Sequence, residues 1–374
     1  VALLVAFAGT YLVLQPFILA RPHILAWPIL ALWSALLFIH RDKGRAPPLM
    51  LALLMFVWSN VHGSYIFGFI VAGAVALDAL IDARFERRAF IQWLVFGIAT
   101  LLATFLNANG ISGLLHPLAI SGMETLPAIG EWQPSSPRST PLFYFLLLGV
   151  TGALLWKRPQ FRPGELLLLL LTLAMAFTHI RHQSVFVILA ALIVTPKLAS
   201  KDRERSDPMF QSRTEARLFA AAALTAAIII IVVRSMIPLQ PRETFSNPRG
   251  LIAHIPPELR SQPVLNEYSM GGPLILNGIK VFIDGRADMY GDAFVRDYLK
   301  ITGGDWAAFS KSVDMYGLRW TILQNNNGLV RELDKSGEWR RIYSDKVGVI
   351  HVRRGSAPAA PHPRADDAQR QNGG

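Results

Sequence analysis

The sequence predicts an α-helical polytopic membrane protein of about nine spans with a small C-terminal extracytoplasmic α/β domain. Three observations carry that prediction. Hydrophobic residues make up 52% of the 374 and charged residues only 17%, against roughly 25% charged in soluble domains, and the mean hydropathy is +0.34. Apolar stretches long enough, or nearly so, to cross a bilayer recur as far as residue 233. Lys and Arg collect in alternate connecting segments. This composition excludes a disordered chain or a fibrous repeat and argues against a soluble enzyme. Cysteine is absent, which removes disulfides, thiolate metal ligands and cysteine nucleophiles.

A bilayer-crossing helix needs about 20 mostly apolar residues, with shorter ones tolerated. The candidates are 1–19, 23–39, 47–61, 64–81, 90–106, 141–156, 164–179, 184–196 and 218–233. The segments 47–61 and 184–196 are short, and 47–81 reads as a helical hairpin. Charge placement tests the series. Arg41, Lys43 and Arg45 lie in one connection, Arg84, Arg87 and Arg88 in another, Lys157, Arg158 and Arg162 in a third, and Lys197, Lys201, Arg203, Arg205, Arg213 and Arg217 in a fourth. The intervening connections hold only Arg21, Arg138 and Arg181. The positive-inside rule assigns the basic set to the cytoplasm. The net charge of +11 is then largely a topology signal, and no nucleic-acid partner is implied.

The domain organisation follows. Residues 1–236 form a transmembrane helical domain with an external loop at 107–140, whose apolar patches would lie along the membrane surface as short interfacial helices. Residues 240–354 form a soluble α/β domain. Strands are expected at 263–266, 281–284, 320–323 and 347–352, and helices at 292–301 and 306–316. Residues 355–374, rich in Pro, Ala and polar residues, read as a disordered tail.

Polar residues at the span ends are the candidate site. Arg21 and His23 lie between the first two spans, Asn60 and His62 between the third and fourth, Asn107 and Asn109 after the fifth, Glu124 and Glu131 in the long loop, and His179, Arg181 and His182 between the seventh and eighth. All fall on the external side, whereas the basic cytoplasmic connections read as solvated. Ionisable groups near lipid are costly and mark functional cavities. A cavity lined by Arg, His, Asn and Glu would bind an anion such as a lipid phosphate. The bland alternative is that such side chains snorkel to headgroups. Trp27, Trp33, Trp58 and Trp132 read as interface-belt aromatics.

Two strings stand out in the soluble domain. In VLNEYSMGGPLI a strand ends at Asn266, Glu267 and Tyr268 before Gly271 and Gly272; in VFIDGRADMYG a strand ends at Asp284, followed by Arg286 and Asp288. Ligands in α/β folds sit at the carboxyl ends of strands, so these residues would bind polar acceptor hydroxyls or a divalent cation. Equally, Asp284 and Asp288 would cap the next helix and pair with Arg286. No phosphate-cradling glycine loop, GxSxG elbow or HExxH helix occurs, and no cofactor is otherwise implied.

RPHILAW at 21–27, WSNVHGSYIFGF at 58–69, and LNANG followed by EWQP within 106–134 resemble a large group of bacterial polytopic membrane proteins, as do NEYSMGG and VFIDGRADMYG. Members often read Asn-Pro-Tyr-Gly where this chain has Asn107-Ala108-Asn109-Gly110, and Trp-Gly-Gly-Tyr at 270–273. The group is similar in layout to the GT-C glycosyltransferases, which include protein mannosyltransferases and oligosaccharyltransferases. The resemblance implies a multi-span transferase of the bacterial inner membrane that takes sugar from a polyprenyl-phosphate donor at the outer face. In GT-C enzymes an acidic residue of the first large external loop is base or metal ligand. Here 15–22 has no carboxylate, so the catalytic loop is expected upstream of Val1 and no catalytic residue is carried over. Two other classes fit the same polar pattern: a transporter or flippase of a lipid-linked or anionic compound, and a non-enzymatic scaffold with an external binding domain.

Overall fold

A computed structural model of the protein describes residues 2–18, 21–203, 213–237 and 243–355. The tail expected at 355–374 lies, from residue 356 onward, outside the described residues. The chain divides into two compact units, Val1–Ala222 and Ala223–Gly374.

The first unit is helical. Its elements are α1 (Ala2–Leu14), α2 (His23–Asp42), α3 (Ala52–Val61), α4 (Ile66–Asp82), α5 (Arg87–Phe105), α6 (Gly110–Ser121), α7 (Pro141–Lys157), α8 (Pro163–Thr178) and α9 (Gln183–Arg203), while α10 (Arg213–Met236) runs across the boundary between the units. Each of the nine apolar segments falls on a helix. Four stretches are long and apolar enough to cross a membrane by length and composition: His23–Asp42, Gly63–Asp82, Arg87–Phe105 and Ile180–Ala199. The long loop at 107–140 carries α6 and two short 3-10 turns, Leu126–Ala128 and Gly130–Trp132.

Helix α2 packs on α4 and α9, and α4 on α8. Their shared core holds Trp33, Leu37, Met55, Trp58, Val71 and Phe96. Trp33 and Trp58 are therefore core residues, correcting the interface-belt expectation. Trp33 Nε1 donates to the Gly68 carbonyl at 3.0 Å and Trp58 Nε1 to Ser64 Oγ at 3.1 Å, so each indole satisfies its one donor inside the bundle. Gly68 makes room for them: a Cβ there would run into Met55.

The basic connections are not uniformly solvated, a second correction. Arg41, Asp78 and Glu165 are 6%, 2% and 5% exposed. The Arg41 guanidinium bonds Asp78 at 3.0 Å and Glu165 at 3.1 Å, and Lys197 Nζ meets Glu165 at 2.8 Å. Asp78 also accepts the Gly164 amide at 2.6 Å, while Arg162 and Glu165 form a capping box behind Pro163 at the first helical position. Asp78 thus satisfies an otherwise orphaned amide at the α8 N-terminus, where the helix dipole also favours an anion. Gly164 permits the approach, because a Cβ there would strike the Ala74 carbonyl. Four helices are knotted at this end by charges that have left water.

In the second unit, α11 (Arg249–Ala253) precedes β1 (Val264–Asn266) and α12 (Gly271–Leu276). Then come α13 (Ala287–Thr302), α14 (Trp306–Tyr316), β2 (Trp320–Gln324), α15 (Gly328–Lys335), β3 (Trp339–Ser344) and β4 (Gly348–Arg353). The sheet order is β1-β2-β4-β3, with β1 and β2 parallel and the other pairs antiparallel. Alternate strand residues feed two cores, as a two-fold side-chain period requires. Leu265, Leu323 and Val349 pack with Phe309 and Leu329, while Val264, Ile322 and Ile350 pack with Leu251 and Met270. Asp305 caps α14 by accepting the Ala308 amide at 3.0 Å, and left-handed Gly317 ends it.

The segment 281–284 is not a strand. The Asn266 side chain holds it instead: Oδ1 accepts the Phe282 and Ile283 amides at 2.8 and 3.3 Å, and Nδ2 donates to the Ile283 carbonyl at 2.8 Å. One buried amide takes the place of a strand ladder. The fourth strand is β3, which the sequence reading missed because its middle positions are exposed and basic.

Breaking a buried ion pair leaves an uncompensated charge and costs about 3–5 kcal/mol. Asp78→Ala is therefore expected to destabilise the helical unit by that order, whereas Lys43→Ala, at an exposed neighbouring position, changes stability by no more than about 0.5 kcal/mol. Equilibrium unfolding in mixed micelles measures both, and equal effects would refute the knot.

Candidate functional site

The opposite end of the bundle carries the polar residues singled out in the sequence. His23 opens α2 and Arg41 lies in its last turn; at 1.5 Å rise per residue these two lie about 27 Å apart along the axis. That is close to the thickness of a bilayer's hydrocarbon core.

Four chain segments converge there. Arg21 Nη1 meets Glu131 Oε2 at 3.1 Å, joining the turn before α2 to the long loop. His23 donates from Nε2 to the Phe17 carbonyl at 2.8 Å, and its ring lies 6.2 Å from that of His62. The Arg181 guanidinium stands 4.3 Å over the Trp132 ring. Trp132 also makes edge contacts with His179 and His182 at 5.2 and 6.2 Å, and the His182 ring lies 5.6 Å from Phe67.

The loop is fixed to the junction of α8 and α9. The Ser135 amide donates to the Phe177 carbonyl at 2.9 Å, the Ile180 amide to Gln133 at 3.0 Å, and His179 Nδ1 to Trp132 at 2.7 Å. Main-chain atoms of 132–135 thus hold Glu131 and Trp132 against the 3-10 turn Ile180–His182, while their side chains meet Arg21 and Arg181.

Several polar groups here lack partners. Among the described residues nothing accepts a hydrogen bond from the Arg181 guanidinium. His182 Nδ1 is buried with no partner. His62 Nδ1 accepts the Ser64 amide at 3.1 Å, which leaves its Nε2 as a donor on the neutral ring. Burial, then the nearby Arg181 and His23, push the His62 imidazolium down to about 4. Donors of this kind beside a cation over an aromatic ring have the chemistry that an anion requires.

Asn60 stands apart from this set. Its amide donates to the Phe56 and Leu106 carbonyls at 2.8 and 3.0 Å, tying α3 to the end of α5. Trp132, read from the sequence as an interface-belt aromatic, belongs to the cluster instead, together with His179, which the sequence places beside Arg181 and His182.

The expected residues of the second unit sit together around β1 and 281–286, yet their bonds are internal. Asn266 is the brace described above. Glu267 accepts from Asn327 Nδ2 at 2.9 Å and from the Gln324 amide at 3.3 Å. The Tyr268 amide donates to Tyr298 Oη at 2.8 Å. Arg286 grips Asp284 through Nε at 2.9 Å and Nη2 at 2.5 Å, and its amide donates to Asp284 Oδ1 at 3.0 Å. That guanidinium holds the Asp284 carboxyl below the usual carboxylate range, and burial first, with Asp284 next, pushes the Tyr290 hydroxyl up to about 12. Gly271 lies against this turn, where a Cβ would come within 2.6 Å of the Asp284 Cβ. Asp288 is in the first turn of α13. These residues read as a structural turn rather than as free ligands. Among the described residues no group of three or more His, Asp or Glu side chains is placed to hold a metal ion.

Folding makes the His62 imidazolium less stable, so the unfolded chain takes its proton first. Its contribution to stability is full above the ordinary histidine value of 6.5 and declines as pH falls from there toward 4. In His62→Gln the acid limb of an unfolding-versus-pH curve is expected to be shallower over that interval. An unchanged limb would place the titration elsewhere.

No protein-family model and no curated protein matches the chain.

Proposed function

We propose that this chain is a membrane glycosyltransferase-like protein of the GT-C type, working on a polyprenyl-phosphate-linked sugar at the outer face of a bacterial inner membrane. The reading is supported above all by Arg181, a cation stacked on Trp132 with no acceptor among the described residues. It stands beside Arg21, Glu131 and the neutral His62 at one end of an apolar bundle. A lipid-linked phosphate meets both requirements of such a place: its charge takes the unpaired donors, and its chain takes the apolar helix flanks. Charge-assisted bonds to phosphate are strong and directional, and they strengthen as charge develops on the leaving phosphate. No catalytic base is assigned.

The topology goes with this reading. All nine apolar helices α1–α5 and α7–α10 cross the bilayer. The Arg41 knot lies at the cytoplasmic leaflet, and the Arg181 cluster and the C-terminal unit lie outside. Because the chain has no cysteine, single substitutions report sidedness directly. Arg138→Cys and Lys335→Cys are expected to react with an impermeant maleimide in intact cells, and Lys43→Cys only after lysis. The opposite pattern would sink the orientation.

A hydrogen bond to a charged group is worth roughly 1.5–3 kcal/mol. In the full chain in nanodiscs, Arg181→Ala is expected to weaken binding of a polyprenyl-phosphate sugar by at least about tenfold, with Arg181→Lys intermediate. Undiminished binding by Arg181→Ala would remove the donor-site assignment.

A further inference from the structure

Resting on that reading, we propose that Glu131 selects the donor by charge, so that the site takes a lipid-linked sugar with one phosphate, a phosphodiester of single negative charge, in preference to one linked through pyrophosphate.

The cluster's permanent charges are Arg21, Arg181 and Glu131. Glu131 is the carboxylate that meets Arg21, and it lies close enough to Arg181 to act on its charge as well. His62 is neutral near pH 7 because its imidazolium is pushed down to about 4. The two guanidinia and one carboxylate leave a single surplus positive charge. A sugar phosphodiester carries one negative charge and matches it. A pyrophosphate diester carries two, so its second charge would face Glu131 or displace it from Arg21.

The geometry assigns the two arginines different tasks. Arg21 already has an acceptor at 3.1 Å. Arg181 has none among the described residues, and its guanidinium carbon stands 4.3 Å over the Trp132 ring. A single phosphate therefore docks on Arg181 without breaking an existing ion pair. Glu131 cannot retreat far, because the Ser135 and Ile180 amides and the His179 imidazole bond main-chain carbonyls that fix its loop. Like charges held in place act against the wrong ligand, and specificity often rests on such a repulsive element.

The test uses the full chain in neutral-lipid nanodiscs with two probes, farnesyl phosphoglucose and farnesyl diphosphoglucose, at low salt, where charge effects are least screened. The wild type is expected to bind the one-phosphate probe more tightly. Glu131→Gln is expected to move the ratio of affinities toward the diphosphate by about two- to fivefold, the size of effect that a half-exposed ion pair supports. Glu131→Asp, which keeps the charge, is expected to retain the wild-type preference, and thermal unfolding of each variant checks that the bundle is intact. If Arg181→Ala weakens both probes but Glu131→Gln leaves their ratio unchanged, charge selection is wrong and the donor site stands. A wild-type preference for the diphosphate overturns the selection as well. If Arg181→Ala weakens neither probe, the donor site itself fails.

Discussion

The helical unit depends on a small set of charges taken out of water. Arg41 is in the last turn of α2, Asp78 about one turn before the end of α4, Glu165 in the first turn of α8, and Lys197 in the latter part of α9. Each is costly alone, since desolvating an ion outweighs what an imperfect partner returns. Together they close. The arrangement also answers the helix dipoles, with a cation at the end of α2 and anions at the start of α8. Arg162 extends the closure to Asp42 and Asp82 at the surface. Because the four helices are fixed at one end, their opposite ends are fixed as well, and those ends carry His23, His62 and Arg181.

The second unit shows the same economy with a neutral group. Asn266 is fully buried and uses both ends of its amide to hold 281–284 beside β1. The chain then turns sharply at Asp284, where Arg286 neutralises a carboxylate 3% exposed. The turn aims α13 at the sheet face that buries Ile283, Tyr298 and Phe309. The density of polar residues in this string reflects a backbone that must leave a sheet without a strand partner.

Much of the architecture was legible in the sequence, because hydropathy and capping act locally. The apolar segments coincide with helices, and 306–316 coincides with α14, whose Asp305 and Gly317 mark its ends in the sequence. Clustering of Arg21, His23, His62, Glu131 and Arg181 was legible through the alternation of span ends, since every second connection shares one end of a bundle. What was not legible depends on partners distant in the chain. Arg41 reads as a loop cation until Asp78 and Glu165, 37 and 124 residues away, are seen beside it. Asp78, a carboxylate inside an apolar span, was the available warning. Trp33 and Trp58 read as belt residues because composition does not reveal which side of a helix faces its neighbours. Asn266 read as a ligand because a strand-end amide looks the same whether it faces solvent or braces a neighbouring segment, whereas the pairing of Asp284 with Arg286 was one of the two readings the sequence left open and is the one formed.

The two ends of the bundle therefore differ in how far their charges are settled. At the Arg41 end every buried charge among the described residues has an opposite partner within about hydrogen-bond distance. An incoming ion there would have to break a pair before making one. At the Arg181 end a guanidinium has an aromatic ring beneath it and no acceptor among the described residues, and a histidine nitrogen is buried without a partner there. Buried polar groups without partners destabilise a fold, so the second end carries a cost that the first avoids. A ligand that supplies an acceptor relieves that cost on binding. The closed knot fixes the shape of one end, and the other end keeps polar groups that only an added acceptor would satisfy.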